Sequence, residues 1–188
     1  MQAQTSSTWA WATPATLQKV LATAEKLGYV QNLVAGNLAS GRTSMVAVLM
    51  PSLRNSHNAT CTQGLADRLR ASSYQFMLTN CGYSLEEEAA AVAAYVRRRP
   101  DGLILTGTRH SDETREFLKH TTIPVVEMWE TNGPFIDMAV GFSSYQAGRD
   151  ITRHLIDSGY GTVGYIDYPP VGLKRFEERK QGFRDELQ

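Results

Sequence analysis

Two spacings of apolar residues alternate along the chain, and the change from one to the other predicts where strands and helices lie. From residue 45 onward, short apolar runs of strand length are separated by segments in which apolar residues recur at helical spacing. The predicted strands are MVAVLM (45–50), QFMLTN (75–80), GLILT (102–106), PVVEM (124–128), MAVGF (138–142) and TVGYID (162–167). The predicted helices are 58–72, 85–99, 111–120 and 144–158, and another begins near 173.

This order predicts an α/β fold. The strands are continuous apolar runs, which is typical of a sheet that is covered on both faces. Regular alternation of strands and helices indicates right-handed βαβ units and a doubly wound parallel sheet. The connection WETNGPFID (129–137) has no helical pattern, so we expect it to carry the chain across one edge of the sheet.

The first 44 residues have a different character. Residues 14–27 have an apolar stripe at helical spacing, Pro14 suits the first turn, and Gly28 follows as a stop. The polar connector QNLVAGNLASGRTS (31–44) then leads into the first strand. A small helical piece tethered ahead of an α/β body is typical of a ligand-sensing regulator. Residues 1–12 match neither a secretory signal nor any other element.

Composition limits the class of protein. The chain has 188 residues, 42% hydrophobic and 20% charged, as in ordinary soluble domains. Its net charge of zero argues against a large nucleic-acid surface on the chain as it stands. Two cysteines form no disulfide or zinc framework, so we expect a reducing, cytoplasmic location. No stretch approaches the ~20 apolar residues of a membrane helix, and no membrane partner is expected.

Ligands of open parallel sheets bind beyond the carboxyl ends of the strands. In this chain those ends are rich in Asn, Ser, Thr and Tyr and carry the larger side chains Arg54, His57, Arg109, His110 and Trp129. Hydroxyls and amides around an aromatic face suit a polyhydroxylated ligand such as a sugar or sugar acid. The alternative is that these loops are polar only because loops generally are.

Matches to catalytic and cofactor-binding motifs lie outside the structural context that those motifs require. The G-x-G-x-x-G match at residues 159–164 follows a predicted helix and precedes a strand, the reverse of a dinucleotide site. The histidines are scattered without metal-ligand spacing. We therefore expect no enzyme, no cofactor and no metal. Arg97, Arg98 and Arg99 look like a phosphate patch, but they also close a helix ahead of Pro100, and we favour the helix-end interpretation.

Several segments together resemble the lactose-repressor/galactose-repressor (LacI/GalR) family of transcription regulators. The resemblance begins near Thr13 and reaches Gln188. The segments that carry it are LGYVQN, SGRTS leading into VAVLMPSLRN, PDGLILT, IPVVEMW, AVGFSSYQAG, RHLIDSGY and RKQGF. Four segments resemble the gluconate-utilisation repressors of this family more than its sugar-responsive members. They are PSLRN, Gly82–Tyr83, VVEMW and AVGF.

The resemblance implies a DNA-facing segment. Residues 14–27 resemble the third helix of the family's headpiece, and the connector resembles its hinge, with Asn32, Ala35 and Leu38 at matching positions. Leu38 would be the leucine that wedges into the minor groove and kinks the duplex. Gln31 and Gly36 depart from the hinge pattern, and residues 1–12 do not resemble the first two headpiece helices.

The resemblance also implies effector contacts at the tops of the strands of two closing subdomains. The candidate effector residues are Asn55, His57, Asn58, Arg109, Ser143 and Arg179. Ser143 stands where the family often has an aspartate. Arg179 matches an arginine that grips the effector in several members, where it would hold a carboxylate in a bidentate fork. The alternative for Arg179 is an ordinary helix-surface residue.

The expected layout is an unassigned leader (1–12), the third headpiece helix and hinge (13–44), the N-terminal effector-binding subdomain (45–160) and the start of a C-terminal one (161–188). This is a periplasmic-binding-protein-like fold, truncated at both ends relative to the family. The expected function is a cytoplasmic, homodimeric transcription regulator, a repressor, that binds operator DNA and responds to gluconate or a related sugar or sugar acid. The alternatives are a periplasmic-type solute-binding protein for a sugar and an enzyme acting on sugar phosphates or nucleotides.

Overall fold

The computed structural model describes residues 12–29, 41–167 and 173–188. The chain divides into two compact units, one ending at Gly41 and the other beginning at Arg42. The first unit contains helix α1 (Pro14–Lys26), which Thr13 caps by accepting a hydrogen bond from the Thr16 N–H at 3.3 Å. Gly28 follows with φ +64°, a left-handed conformation that glycine adopts without strain. The predicted helix is confirmed, and no residue of α1 is buried.

The second unit alternates strands and helices, as the apolar pattern predicts. Its strands are β1 (Met45–Met50), β2 (Gln75–Asn80), β3 (Gly102–Thr106), β4 (Val125–Trp129) and β5 (Met138–Gly141). Its helices are α2 (Ser56–Ala71), α3 (Leu85–Val96), α4 (Asp112–Lys119), α5 (Ser144–Asp157) and α6 (Lys174–Glu186). The strands pair in the order β2-β1-β3-β4-β5, and every pairing is parallel. The α/β class and the parallel sheet are therefore confirmed.

The core lies on both faces of the sheet. On one face, Leu49, Leu103 and Leu105 pack with Val92 and Tyr95 of α3 and with Leu118 of α4. On the other face, Val48 and Met50 pack with Cys61 and Leu65 of α2. Both faces of β1 are thus covered, which explains why its sequence is a continuous apolar run.

The connection from β4 to β5 contains no helix, as predicted. Carboxylates from the strands and the loop hold it instead. Glu127 Oε2 accepts a hydrogen bond from the Ile136 N–H at 2.5 Å, and Asp137 Oδ2 accepts one from the Val125 N–H at 3.0 Å. β5 lies beside β4 with Val126 opposite Met138.

The sixth predicted strand is not formed. Residues 162–167 have no strand pairing, and the side chain of Ile166 is 98% exposed. The apolar pattern of this segment indicates a tendency to be buried. An extended segment forms a β-strand only when another strand lies beside it and hydrogen-bonds to it. Helix α6, which follows it, packs instead against α5. The prediction of a strand over residues 162–167 is therefore wrong for this structure.

Helices α5 and α6 approach each other through two glycines. A side chain at Gly148 would place its Cβ 2.2 Å from the Arg179 carbonyl oxygen, and one at Gly182 would lie 2.1 Å from the Tyr145 carbonyl oxygen. Tyr145 donates a hydrogen bond to Asp185 at 2.9 Å, and Arg149 pairs with Glu186 at 2.6 Å along the same contact. No other residue type would permit this backbone approach.

Candidate functional site

A cavity of about 200 Å³ lies beyond the carboxyl ends of the strands, between the start of α2 and the start of α6. Four of the predicted effector residues line it: Asn55, His57, Asn58 and Arg179. The remaining lining residues are Tyr83, Trp129, Phe142, Arg175 and Phe176. The structure thus brings together four of the six candidates.

The start of α2 positions the first three of these residues. Asn55 is the N-cap, and its Oδ1 accepts a hydrogen bond from the His57 N–H at 2.9 Å. Asn58 is buried, and its amide donates to the Ser52 carbonyl at 2.9 Å. Both asparagines therefore stabilise the turn and also line the cavity. The imidazole ring of His57 lines the cavity beside them.

His57 packs against Trp129, the last residue of β4. The two ring centroids lie 4.3 Å apart, with an angle of 37° between the planes. Trp129 has φ +80°, which is rare for a large side chain and costs free energy wherever it occurs. A Cβ at Gly141 of β5 would lie 2.4 Å from the Trp129 carbonyl carbon, so glycine there makes room for this backbone. Strained residues cluster at functional sites, and this one forms an aromatic wall of the cavity.

Helix α6 supplies the positive charge of the cavity. Arg175 and Arg179 are one helical turn apart, and their guanidinium carbons lie 5.4 and 5.8 Å from the centre of the Phe176 ring. Arg175 is mostly buried and lies 3.9 Å from Glu130. Burial lowers the pKa of Arg175, and the Glu130 carboxylate partly opposes this. A guanidinium keeps its proton in proteins, so the cavity has two forked cationic donors.

Arg109 and Ser143 lie elsewhere. Arg109 lines a neighbouring, smaller cavity of about 40 Å³, together with Glu88, Glu130 and, from the first cavity, Tyr83 and Arg175. Ser143 is the N-cap of α5, and its hydroxyl accepts a hydrogen bond from the Gln146 N–H at 3.1 Å. Ser143 is not among the residues that line these two cavities.

A buried polar network lies between the sheet and α3. His110 Nδ1 is 2.7 Å from Glu88 Oε1, and its Nε2 is 3.2 Å from Glu127 Oε1, where the alignment is too poor for a hydrogen bond. Burial alone would lower the pKa of His110, but Glu127 and Glu88 outweigh it and raise the pKa to about 9. Nearby, Thr108 donates to Glu130, whose other oxygen faces Arg175. These charges are compensated within the fold, so they support the cavity wall.

Five lining residues were not among the site residues predicted from the sequence. Trp129 and Phe142 lie at or directly after the carboxyl end of a strand, and that position alone was the available signal. Tyr83 lies in the loop after β2, and its neighbour Gly82 has φ +59°. Arg175 and Phe176 follow residues 168–172, which the structure does not describe, and no sequence signal separated Arg175 from the other arginines. The hinge candidates Asn32, Ala35 and Leu38 lie outside the described residues.

Among residues 12–29, 41–167 and 173–188, no group of three or more His, Cys, Asp or Glu side chains is placed to hold a metal ion. Within those ranges, none of the helices has the length and apolar character needed to cross a membrane.

Comparisons with known proteins agree with the fold and the resemblance. Residues 43–188 match the family described as periplasmic binding proteins and sugar binding domain of the LacI family. The HTH-type transcriptional regulator GntR of Escherichia coli (strain K12) is 33% identical over 148 residues, 79% of this chain and 45% of that protein. GntR of Pseudomonas aeruginosa is 34% identical over 171 residues, 91% of this chain and 49% of that protein.

A solved structure gives the same result. A LacI-family transcriptional regulator from Silicibacter pomeroyi matches with a TM-score of 0.79 and 34% identity, covering 94% of this chain and 53% of that one. The chain therefore spans about half the length of these relatives.

Proposed function

Because this chain belongs to the family of periplasmic binding proteins and LacI-type sugar-binding domains, we propose that it is the effector-sensing part of a DNA-binding transcription regulator. The regulator is a cytoplasmic homodimer that represses its genes and responds to gluconate or a related sugar acid. Relatives named as HTH-type transcriptional regulators support the regulatory role. They favour it over a periplasmic-type solute-binding protein.

The observation that carries the choice of ligand is the pairing of two guanidinium groups with an aromatic wall. Arg175 and Arg179 face the same cavity as the stacked rings of His57 and Trp129. A guanidinium binds a carboxylate through two parallel hydrogen bonds, and hydrogen bonds to charged groups contribute ~1.5–3 kcal/mol. Aromatic faces pack on the C–H surface of a sugar chain, and asparagine amides at the start of α2 suit its hydroxyls. A sugar acid has a carboxylate for the arginines, a C–H surface for the aromatic rings and hydroxyls for the asparagines.

Operator binding belongs to the segment before the second unit. Residues 14–27 are proposed as the third helix of a headpiece, and Asn32, Ala35 and Leu38 as hinge residues that contact DNA. Leu38 would act as an apolar wedge that unstacks a base step and kinks the duplex. Support comes from the confirmed helix α1 and from relatives that are named as HTH-type regulators.

The effector-binding part is proposed to consist of two subdomains that close on the ligand. The sequence favours a boundary at residues 160/161. Since Gly148 and Gly182 let α5 and α6 pack at backbone distance, we infer that the two helices move together. The moving part would then begin before α5, near Ser143, which directly follows the edge strand and its aromatic residue Phe142.

Isothermal titration calorimetry of the 188-residue chain tests the ligand class. Gluconate is compared with glucitol, a neutral polyol of the same carbon chain. We expect gluconate to bind at least about tenfold more tightly, because the carboxylate adds a charge-assisted fork that glucitol lacks. Equal affinities, or no heat with gluconate and other sugar acids, would remove the sugar-acid assignment.

A further inference from the structure

The end of the connector contacts the edge of the sheet at which the strands begin. Thr43 and Ser44 precede β1, and the carboxylate of Asp101 ahead of β3 binds them both. Asp101 Oδ1 accepts hydrogen bonds from the Thr43 N–H at 2.8 Å and hydroxyl at 3.0 Å, and Oδ2 accepts one from the Ser44 N–H at 3.1 Å. The Thr43 hydroxyl also lies 3.2 Å from the Arg99 carbonyl. The last residues of the connector are therefore fastened to the turn between α3 and β3.

Helices α2 and α3 both end at this edge, because each returns the chain from the end of one parallel strand to the start of the next. The Gln75 N–H at the start of β2 donates to the Ser44 carbonyl at 2.7 Å, which brings the end of α2 beside the connector. The turn after α3 is already fastened to Thr43. Exposed arginines from the ends of the two helices lie along this edge, and we name them the arginine edge: Arg68, Arg70, Arg97, Arg98 and Arg99.

Within residues 12–29, 41–167 and 173–188, few acidic groups oppose this charge. Asp101 is occupied by the connector, and Asp67 pairs with Arg70 at 3.3 Å. On the β4 side of the same edge, Lys119 pairs with Glu116 at 2.6 Å. The positive excess is therefore concentrated around the entry of the connector, in a chain whose net charge is zero. The opposing negative charge must lie elsewhere on the molecule.

Helix ends explain single cations, because lysine or arginine complements the carbonyl end of a helix. That explanation accounts separately for Arg70 in the last turn of α2 and for Arg97 at the C-cap of α3. It does not account for exposed arginines at two helix ends, one on each face of the sheet, that flank the same segment. Arg98 and Arg99 lie beyond the last turn of α3, and Arg99 has φ +49°, so the turn departs from helical geometry.

We propose that the arginine edge binds the phosphates of duplex DNA. The proposal rests on the proposed function, in which residues before 42 face the operator. DNA held by that segment is tied to this edge through residues 30–41, which reach at most about 40 Å even when fully extended. Arginines along the edge would add sequence-independent affinity through phosphate contacts and counterion release.

The test measures binding of the full chain to a fluorescein-labelled duplex of arbitrary sequence, by anisotropy, over about 50–200 mM salt. The variant is Arg97→Ser/Arg98→Ser, which leaves the left-handed residue 99 unchanged. Its matched control is Arg54→Ser/Arg184→Ser, which removes two exposed arginines from outside the edge. Circular dichroism checks that both variants fold.

If the edge binds DNA, the first variant has at least about tenfold lower affinity at 50 mM salt, and its slope of log K against log salt is about 1.8 smaller, since each phosphate contact contributes ~0.9. The control variant keeps the affinity and slope of the parent chain. Equal losses in both variants, or no binding by the parent chain at the lowest salt, would overturn the proposal. Binding of phosphatidylserine-rich vesicles in place of DNA would also overturn it.

Gluconate titrations of the same proteins distinguish a failure of the effector assignment from a failure of DNA binding by the arginine edge. The edge variant should bind gluconate as the parent chain does, because the ligand cavity lies at the opposite ends of the strands. Loss of the DNA effect with gluconate binding intact refutes only the arginine edge. Absence of gluconate binding with the DNA effect intact refutes only the effector assignment.

Discussion

At the scale of single residues, several ionisable side chains of the described part of the chain are buried. His110, Glu88, Glu127 and Glu130 are all at most 7% exposed. Burying a charge is costly unless a partner compensates it, and here the two carboxylates around His110 do so. The network therefore stabilises the carboxyl ends of β3 and β4 only while the imidazole keeps its proton.

That dependence predicts how stability changes with pH. The pKa of His110 is about 9 in the folded state, above the ordinary value of 6.5. The stabilisation is therefore complete below pH ~6.5 and is lost as the pH rises through ~9, a contribution on the order of 3 kcal/mol. We expect the free energy of unfolding, measured by urea denaturation, to fall across this range.

The His110→Gln variant should be less stable than the parent at pH 6 and should lose most of this pH dependence. His154→Gln, at an exposed position on α5, is the control and should keep the parent's profile. An unchanged profile in His110→Gln would show that other groups cause the fall in stability.

A second residue-scale prediction concerns Arg179. Replacing it with glutamine removes one cationic fork from the cavity but keeps a polar, uncharged side chain. We expect Arg179→Gln to weaken gluconate binding about tenfold or more and to leave glucitol binding unchanged. Arg184→Gln, on the same helix, serves as the control in calorimetry. Parallel losses for both ligands would make Arg179 a packing residue and not a carboxylate-binding one.

At the scale of elements, the contact between α5 and α6 determines where the guanidinium groups lie. Gly148 touches the backbone of Arg179, so any added carbon pushes α6 away from α5. Overpacking of this kind typically costs ~1–3 kcal/mol. The geometry of the cavity therefore depends on a residue outside it.

We expect Gly148→Ala to lower the free energy of unfolding by about 1–3 kcal/mol and to weaken gluconate binding as well. Gly161→Ala is the matched control, because a Cβ there meets no atom within 4 Å and its φ is ordinary. Thermal or urea unfolding and calorimetry measure the two effects. Full stability of Gly148→Ala would mean that the helices separate easily, and the two would then not move as one body.

At the scale of the whole molecule, the two units differ in how they are stabilised. Helix α1 has no buried residue, whereas β1 and β3 lie in a core that packs on both faces of the sheet. A helix of 13 residues that buries no side chain is marginal in water. The first unit should therefore open far more often than the second.

Hydrogen–deuterium exchange followed by mass spectrometry measures this difference. We expect amides of α1 to exchange quickly and those of β1, β3 and β4 to be strongly protected. Added gluconate should increase protection in peptides from residue 42 onward and leave α1 unchanged, because a ligand stabilises only the structure that binds it. Protection of α1 equal to that of β1 would contradict this description of the two units.

Much of the architecture follows from local pattern. Five of six predicted strands and all predicted helices form, because apolar periodicity reflects which side of an element faces the core. The exception, residues 162–167, has the composition of a strand but no neighbour to pair with. Local sequence states a preference to be extended and buried, and only the arrangement of the other strands decides whether that preference is met.

The candidate site shows the same division. By itself, the sequence determined the parallel sheet, the edge at which the candidate cavity lies and most of the polar residues there, since these depend on the order of strands and helices. The tertiary structure decided that Trp129 stacks on His57, that Arg175 and Arg179 face that wall, and that Arg109 and Ser143 lie apart from it. These contacts join residues far apart in the chain, and they depend on backbone approaches at Gly141, Gly148 and Gly182 that no local pattern reveals.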